Sequence, residues 1–360
     1  MAKKIEKIIV LGLGKVGNLV AELLHRQGFF VTGADLHPGE TAPYPVIEID
    51  VADLSRCAET LRGFDAIVSC LPYNYNLAIA QFACRKSIHY FDLTEDVPTT
   101  KAIIAMSEDA TTVLAPQCGL APGFIGIVGA SLASGFERVR AVRLRVGALP
   151  QHPTGLLGYA FNWSPEGVVN EYLNDCEVIE DGVHKWVSPM EWVETLVIKG
   201  IQLEAFTTSG GLGTMCATYL GRVENLDYKS IRYPGHVQLM NFFFHELLLR
   251  ENRKMAGEIL TNAKPAVNDD VVFVHASAEG WRGTQLLRDE FVNAYYPRAI
   301  AGKTRRAISW TTAASVCAVV EMVNSGILPD RGFIRQEEIV FADFLRTENG
   351  SLFAGDSSFL

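Results

Sequence analysis

Near the start of the chain, an apolar run leads directly into a turn built on spaced glycines. Ile8-Ile9-Val10-Leu11 precedes Gly12-Leu13-Gly14-Lys15-Val16-Gly17; residues 18–27 follow with helical spacing, and Phe29-Phe30-Val31 then leads to Ala34-Asp35. Strand, G-x-G-x-x-G, helix, strand and acid in that order restrict this region to a parallel βαβ unit that binds a dinucleotide. Gly12 permits the tight turn, Gly14 lets the backbone approach a pyrophosphate, and Gly17 lets the helix pack close to the strand. Lys15 and Val16 complete the phosphate loop, where the helix N-terminus offers N–H groups and the positive end of its dipole. Asp35 stands where a carboxylate accepts hydrogen bonds from the adenosine ribose and repels a 2′-phosphate. Leu36-His37-Pro38 brings no arginine to offset that repulsion, so the expected cofactor is NAD, with NADP the weaker choice.

The same alternation continues. Strand patterns at residues 7–11, 29–34, 46–50, 66–70, 89–93 and 112–115 alternate with amphipathic segments at 52–61, 75–86 and 98–108. Short buried strands between helices give a doubly wound parallel sheet, whose ligands gather at the strand C-terminal ends. Those ends carry Asp50, then Ser69-Cys70-Leu71-Pro72, then Asp92-Leu93-Thr94-Glu95-Asp96.

After residues 118–123 the pattern changes. Apolar and basic residues alternate from Val142, further strand-like runs fall at 198–206 and 271–276, and helical spacing shows at 219–226 and 236–250. Helical pattern returns from Ala307 to Val323. The expected architecture is α/β: a discontinuous Rossmann domain of residues 1–123 and 307–360, with a second α+β domain of residues 124–306 inserted before the C-terminal helices. A chain of 360 residues is long enough for both.

Composition excludes several partners. A net charge of −9, with no basic stripe, argues against nucleic acid. Glu6 and Lys7 interrupt any signal-peptide core, and the apolar stretch 124–136 is too short to cross a bilayer, so a cytoplasmic protein without a membrane partner is expected. Seven scattered cysteines without C-x-x-C read as reduced thiols, and eight histidines without an H-x-x-x-H pair give no support for a metal.

Five blocks resemble the saccharopine dehydrogenase family of nicotinamide-dependent amino-acid oxidoreductases. They are Ser69-Cys-Leu-Pro-Tyr73, Cys118-Gly-Leu-Ala-Pro-Gly123, Gly147-Ala-Leu-Pro150, Leu157-Gly-Tyr-Ala-Phe-Asn-Trp-Ser-Pro-Glu-Gly167 and Ile231-Arg-Tyr-Pro-Gly-His236. Their order and spacing match over essentially the whole chain, and the length looks most like the short lysine 6-dehydrogenase branch. The resemblance implies hydride transfer between an amine-bearing carbon and a nicotinamide, a small amino-acid or amine substrate, and a homodimer formed through the inserted sheet. For this branch the expected reaction is NAD-dependent oxidative deamination of the L-lysine side chain. A saccharopine or carboxynorspermidine dehydrogenase is the alternative, and a noncatalytic NAD-binding redox sensor is the rival from another class.

The resemblance also places Gly119, Leu120 and Pro122 beside the nicotinamide, and Cys118 beside the substrate or as an ordinary buried thiol. Asp92, Glu95 and Asp96, with Asp96 slightly ahead, are candidates to accept the ammonium proton. Thr94 and Pro98 equally mark a helix start with acids at its dipole. Tyr159, Phe161 and Trp163 alternate at period two, as a pocket wall or as sheet packing, and Glu166 and Asn170 follow at helical spacing as substrate contacts. Arg232 offers a bidentate clamp for an α-carboxylate. His236 is an acid/base candidate or a core histidine. Arg143 and Arg145 share a strand face that is expected to be solvated or to face a dimer partner.

Overall fold

The glycine turn joins β1 (Lys7–Leu11) to α1 (Gly17–Arg26) in a computed structural model that describes residues 4–39 and 42–354. Ile8 to Leu11 are wholly buried, because β1 is paired on both edges and covered on both faces. The chain continues through β2 (Phe30–Asp35), β3 (Val46–Glu48), α2 (Leu54–Leu61), β4 (Ala66–Ser69), α3 (Tyr73–Lys86), β5 (His89–Asp92), α4 (Val97–Ser107) and β6 (Val113–Ala115). Two helix starts are fixed by side chains: Asp53 accepts from Arg56 N–H, and Asp96 accepts from Thr99 N–H with Pro98 in the first turn.

Next come α5 (Phe124–Ala133), β7 (Arg138–Pro150), α6 (Pro165–Leu173), β8 (Cys176–Glu180), β9 (Val183–Val187), β10 (Glu194–Ile198), β11 (Ile201–Thr207), α7 (Met215–Tyr219) and β12 (Asn225–Arg232). Then α8 (His236–Asn241) runs into a π turn at Phe242–Glu246, followed by α9 (Arg253–Ala263), β13 (Asp270–Arg282), β14 (Gln285–Tyr295), β15 (Arg298–Ile300), β16 (Lys303–Arg305), α10 (Ala307–Asn324), β17 (Gly332–Phe333) and α11 (Phe341–Arg346). The chain divides into two compact units, one of residues 1–124 with 309–360 and one of residues 125–308.

The first unit carries a seven-stranded parallel sheet in the order β17-β6-β5-β4-β1-β2-β3. Strand order reverses between β1 and β4, and such a switch point opens a crevice at the strand C-terminal ends. In α10, 78% of the apolar span is buried. This helix is long and apolar enough to cross a bilayer, and its burial is that of a core helix.

The second unit is built on a sheet in the order β10-β11-β12-β7-β13-β14, with the β8–β9 hairpin branching from β12. Its core gathers Tyr159, Phe161, Val168, Tyr172, Phe206, Ile231, Phe244 and Phe273. Each fully buried aromatic there contributes roughly 2–3 kcal/mol of hydrophobic transfer.

Three sequence expectations need correction in this unit. The helical spacing at 219–226 is not one helix: α7 ends at Tyr219, Gly221 turns at φ +77°, and from Asn225 the chain pairs with β7. The strand-like run 198–206 begins on β10 and crosses a hairpin at Lys199 and Gly200, both with positive φ. Arg145 is not solvated; its guanidinium is buried against Glu194 and Asp227.

Candidate cofactor site and buried polar groups

Two of the three loop glycines leave no room for a side chain. Gly12 has φ +85°, and a Cβ there would meet the Cys70 carbonyl oxygen at 3.0 Å; a Cβ on Gly17 would lie 1.8 Å from the Gly12 oxygen. A Cβ on Gly14 would meet nothing within 4 Å, so the turn is packed at its ends and open over its middle. Lys15 is exposed at that opening, and Val16 precedes the first residue of α1. Asp35 is locked against the turn: Oδ2 accepts from Leu13 N–H at 2.6 Å and Oδ1 from His37 N–H at 2.9 Å.

The neighbouring strand ends complete the rim. Cys70 N–H donates to Leu11 O at 2.8 Å, Leu71 lies against Gly12, and Pro72 precedes α3. Burial pushes the Cys70 thiol up to about 12, with Asp92 adding to the shift. Asp50 instead organises its own turn by accepting from Ala52 N–H. Asn18 and Tyr44 carry no signal in the sequence pattern. Asn18 donates to Leu13 O and receives the Tyr44 hydroxyl at 3.1 Å, bracing the loop from below. These residues suit a dinucleotide: an open, glycine-lined turn at a helix start, with a carboxylate at the next strand end.

At the end of β5 the three candidate acids part ways. Asp92 is fully buried; Oδ2 accepts from Tyr90 OH at 2.8 Å, and Oδ1 from Thr94 N–H at 2.9 Å and Gln117 N–H at 3.1 Å. Burial nevertheless outweighs those bonds and lifts its carboxyl to about 6. Burial, with Asp96 and Asp92 nearby, lifts half-buried Glu95 to about 7. Asp96, slightly favoured from the sequence, caps α4. Asp92 thus ties segment 92–96 to the loop after β6, where Gln117 takes φ +64°.

In that loop Cys118 N–H donates to Asp92 O, and its thiol donates to Ala115 O at 3.1 Å and receives Gln336 Nε2–H at 3.3 Å. Burial, then Asp92, holds the thiol far above its ordinary range, so it is neutral. A Cβ on Gly123 would lie 2.0 Å from the Gly119 oxygen, which folds the loop over buried Leu120 and Pro122.

In the second unit, Arg232, Tyr159, Trp163 and His236 do come together, around a residue that sequence reasoning missed. Arg232 Nε–H donates to the Tyr172 hydroxyl at 2.7 Å, and Tyr172 lies 3.0 Å from His236 Nε2. His236 Nδ1 is 2.9 Å from Leu157 O, which can only accept, so Nδ1 carries the hydrogen and Nε2 accepts from Tyr172. Burial and then Arg232 push His236 down to about 3, leaving it neutral. Burial opposes the Arg232 charge, but Tyr172, Tyr159 and Glu171 hold that guanidinium above its ordinary range. Arg232 also lies 4.8 Å over the Tyr159 ring, and Trp163 Nε1–H donates to Tyr159 OH. Tyr159 and Phe161 meet edge to face at 5.0 Å inside the core, on a segment outside any strand.

Glu166 sits exposed in the first turn of α6, and Asn170 accepts from Arg253. Glu204 was also missed; it accepts from Gly235 N–H and Val237 N–H and so fixes the turn that follows Arg232. Tyr172 and Glu204 carry no local motif that could have marked them.

The family model for the saccharopine dehydrogenase NADP binding domain matches residues 8–115, and that for the saccharopine dehydrogenase C-terminal domain matches residues 119–347. The chain belongs to the saccharopine dehydrogenase family. It is an amino-acid oxidoreductase of that family, with a site for a nicotinamide dinucleotide. Saccharopine dehydrogenase [NADP(+), L-glutamate-forming] of Pyricularia oryzae is 22% identical over 309 residues, covering 78% of this chain and 68% of that protein. The mitochondrial alpha-aminoadipic semialdehyde synthase of Mus musculus is 22% identical over 284 residues, 72% of this chain but only 30% of the mouse protein.

Among solved structures, apo saccharopine dehydrogenase (L-Glu forming) of Saccharomyces cerevisiae shares the fold with a TM-score of 0.77 at 15% identity, covering 97% of this chain and 98% of that one. The DAP dehydrogenase of C. glutamicum, in complex with DAP, gives a TM-score of 0.51 at 14% identity, covering 98% of this chain and 100% of that one.

Proposed function

We propose that this member of the family is an NAD-dependent dehydrogenase that oxidises the side-chain amine of L-lysine to an imine, which water converts to the aldehyde and ammonia. The observation that carries the cofactor choice is Asp35, held against the glycine turn by Leu13 N–H and His37 N–H, where a 2′-phosphate would meet a fixed negative charge. Gly12, Gly14, Lys15, Val16 and Gly17 hold the pyrophosphate, Asp35 the ribose, and the 117–123 loop the nicotinamide end. The bound nicotinamide supplies a hydride acceptor for the amine-bearing carbon. Asp92 and Glu95 supply the proton acceptor: carboxyls lifted to about 6 and about 7 are ionised at mildly alkaline pH and still basic enough to take a proton from an ammonium. Arg232 anchors the α-carboxylate, with Tyr159 and Trp163 as the aromatic wall.

The similarity to the Pyricularia enzyme favours a second reading, in which saccharopine is the substrate. The test is formation of reduced nicotinamide by the full chain at alkaline pH with L-lysine, L-ornithine, saccharopine and diamines, each with NAD+ and NADP+. Turnover of lysine with kcat/KM at least about tenfold higher on NAD+, a difference of ~1.4 kcal/mol, supports the proposal. Activity on saccharopine alone replaces the substrate, and preference for NADP+ overturns the Asp35 argument. NADH binding without turnover points to a sensor.

A further inference from the structure

Glu177, His184 and Cys216 lie in the second unit, and no step of the proposed reaction uses them. The β8–β9 hairpin sets Ile179 opposite His184 and Glu177 opposite Trp186, so Glu177 and His184 are diagonal neighbours. The short helix α7 packs on β8 and brings the buried Cys216 thiol to the same place. One ligand atom from each of the three residues falls within 4.8 Å of the other two. His184 Nε2 and Glu177 Oε1 are 3.7 Å apart. That is too long for a hydrogen bond. It is close to the spacing of about 3.3–3.7 Å that two ligands keep on a tetrahedral zinc with bonds near 2.1 Å.

We propose that Glu177, His184 and Cys216 bind one Zn2+-class divalent ion. A soft thiolate and a borderline imidazole beside one hard carboxylate form a mixed donor set that suits Zn2+ and its spectroscopic substitute Co2+ over Mg2+ or Ca2+. Binding forms one metal–sulfur, one metal–nitrogen and one metal–oxygen bond. It releases the Cys216 thiol proton to solvent, and a water fills the fourth position. The thiolate and the carboxylate together balance the 2+ charge, so the bound site is electrically neutral. The ion ties the hairpin to α7, joining segments distant in sequence, which is why no H-x-x-x-H or C-x-x-C spacing announces it. Half-exposed His184 is the adjustable ligand, and buried Cys216 is the fixed one.

The experiment is titration of the chelator-stripped full chain with Co2+, followed by displacement with Zn2+. One equivalent is expected to produce the near-ultraviolet thiolate-to-cobalt band, and Zn2+ is expected to abolish it and raise Tm. Cys216→Ser is expected to remove the band. Because that buried change can also disturb folding, His184→Gln and Glu177→Gln probe the same site from the hairpin, each expected to weaken Co2+ binding at least about tenfold. No thiolate band in the wild-type chain overturns the site. So does a band that survives Cys216→Ser, or an affinity unchanged in both hairpin variants.

Discussion

Two sets of buried or half-buried carboxylates, Asp92 with Glu95 in the first unit and Glu194 in the second, meet opposite fates. In the first unit, Asp92 and Glu95 sit at the end of β5 beside neutral donors and other acids, and burial lifts them to about 6 and about 7. In the second, Glu194 faces the Arg145 guanidinium and the Lys229 ammonium; they outweigh its burial and hold it at about 2. Arg145 is likewise held above its ordinary range, by Asp227 and Glu194 against its own burial. Burial without a cation makes a proton carrier, whereas burial beside two cations makes a permanent charge. The first arrangement stands where β5 ends and the second where side chains of β7, β10 and β12 meet.

The most severe way to break this contrast is to remove the carriers. Of Asp92→Asn and Glu95→Gln, the variant that removes the base should lower kcat/KM by about 10²–10⁴. It should also abolish the rise of activity with pH through 6–7, since the acid must lose its proton before it can accept one. Two variants with wild-type rates and profiles would exclude both residues as the base. Asp92 makes a stability statement of the same sign. Its folded pKa lies above the unfolded value, so its contribution is full below the ordinary carboxylate range and is lost as pH rises through about 6. Unfolding curves of Asp92→Asn should lack that loss.

The permanent charges offer the next test. Arg145→Met strands Glu194 and Asp227 and should cost roughly 3 kcal/mol, the low end for breaking a buried pair because Lys229 still holds Glu194. Glu194 has a lowered folded pKa, so its contribution is present above the unfolded carboxylate pKa and fades as pH falls toward 2; the variant's stability should fall less steeply there. Chemical denaturation across pH checks both. Smallest of all, Asp343→Asn removes the partner of Arg346, which is 76% exposed on its helix, and should change stability by no more than about 0.5 kcal/mol. A larger loss would show that exposure is a poor guide to the worth of these charges.

The parts legible in sequence are those set by local backbone. Gly12 and Gly17 announce themselves because no other residue fits, and β1 through β6 follow from apolar runs punctuated by helices. Thr94 and Pro98 likewise point to a helix start, and Asp96 caps it. What escaped depended on strand neighbours. Arg145 alternates with apolar residues like a solvated strand residue, yet Glu194 and Asp227 arrive from strands far along the chain. Residues 219–226 have helical spacing until β7 offers β12 a parallel edge. Tyr172 could not be chosen before Arg232 and His236 were known to flank it.

The run from Arg232 through Tyr172 and His236 to Leu157 has one further property. It begins at a group that only donates and ends at one that only accepts, so every hydrogen in it points the same way and none can turn without breaking a neighbour's bond. Such a row has nowhere to put an extra proton and no source from which to lose one. It behaves as an insulator, holding four groups in one fixed orientation.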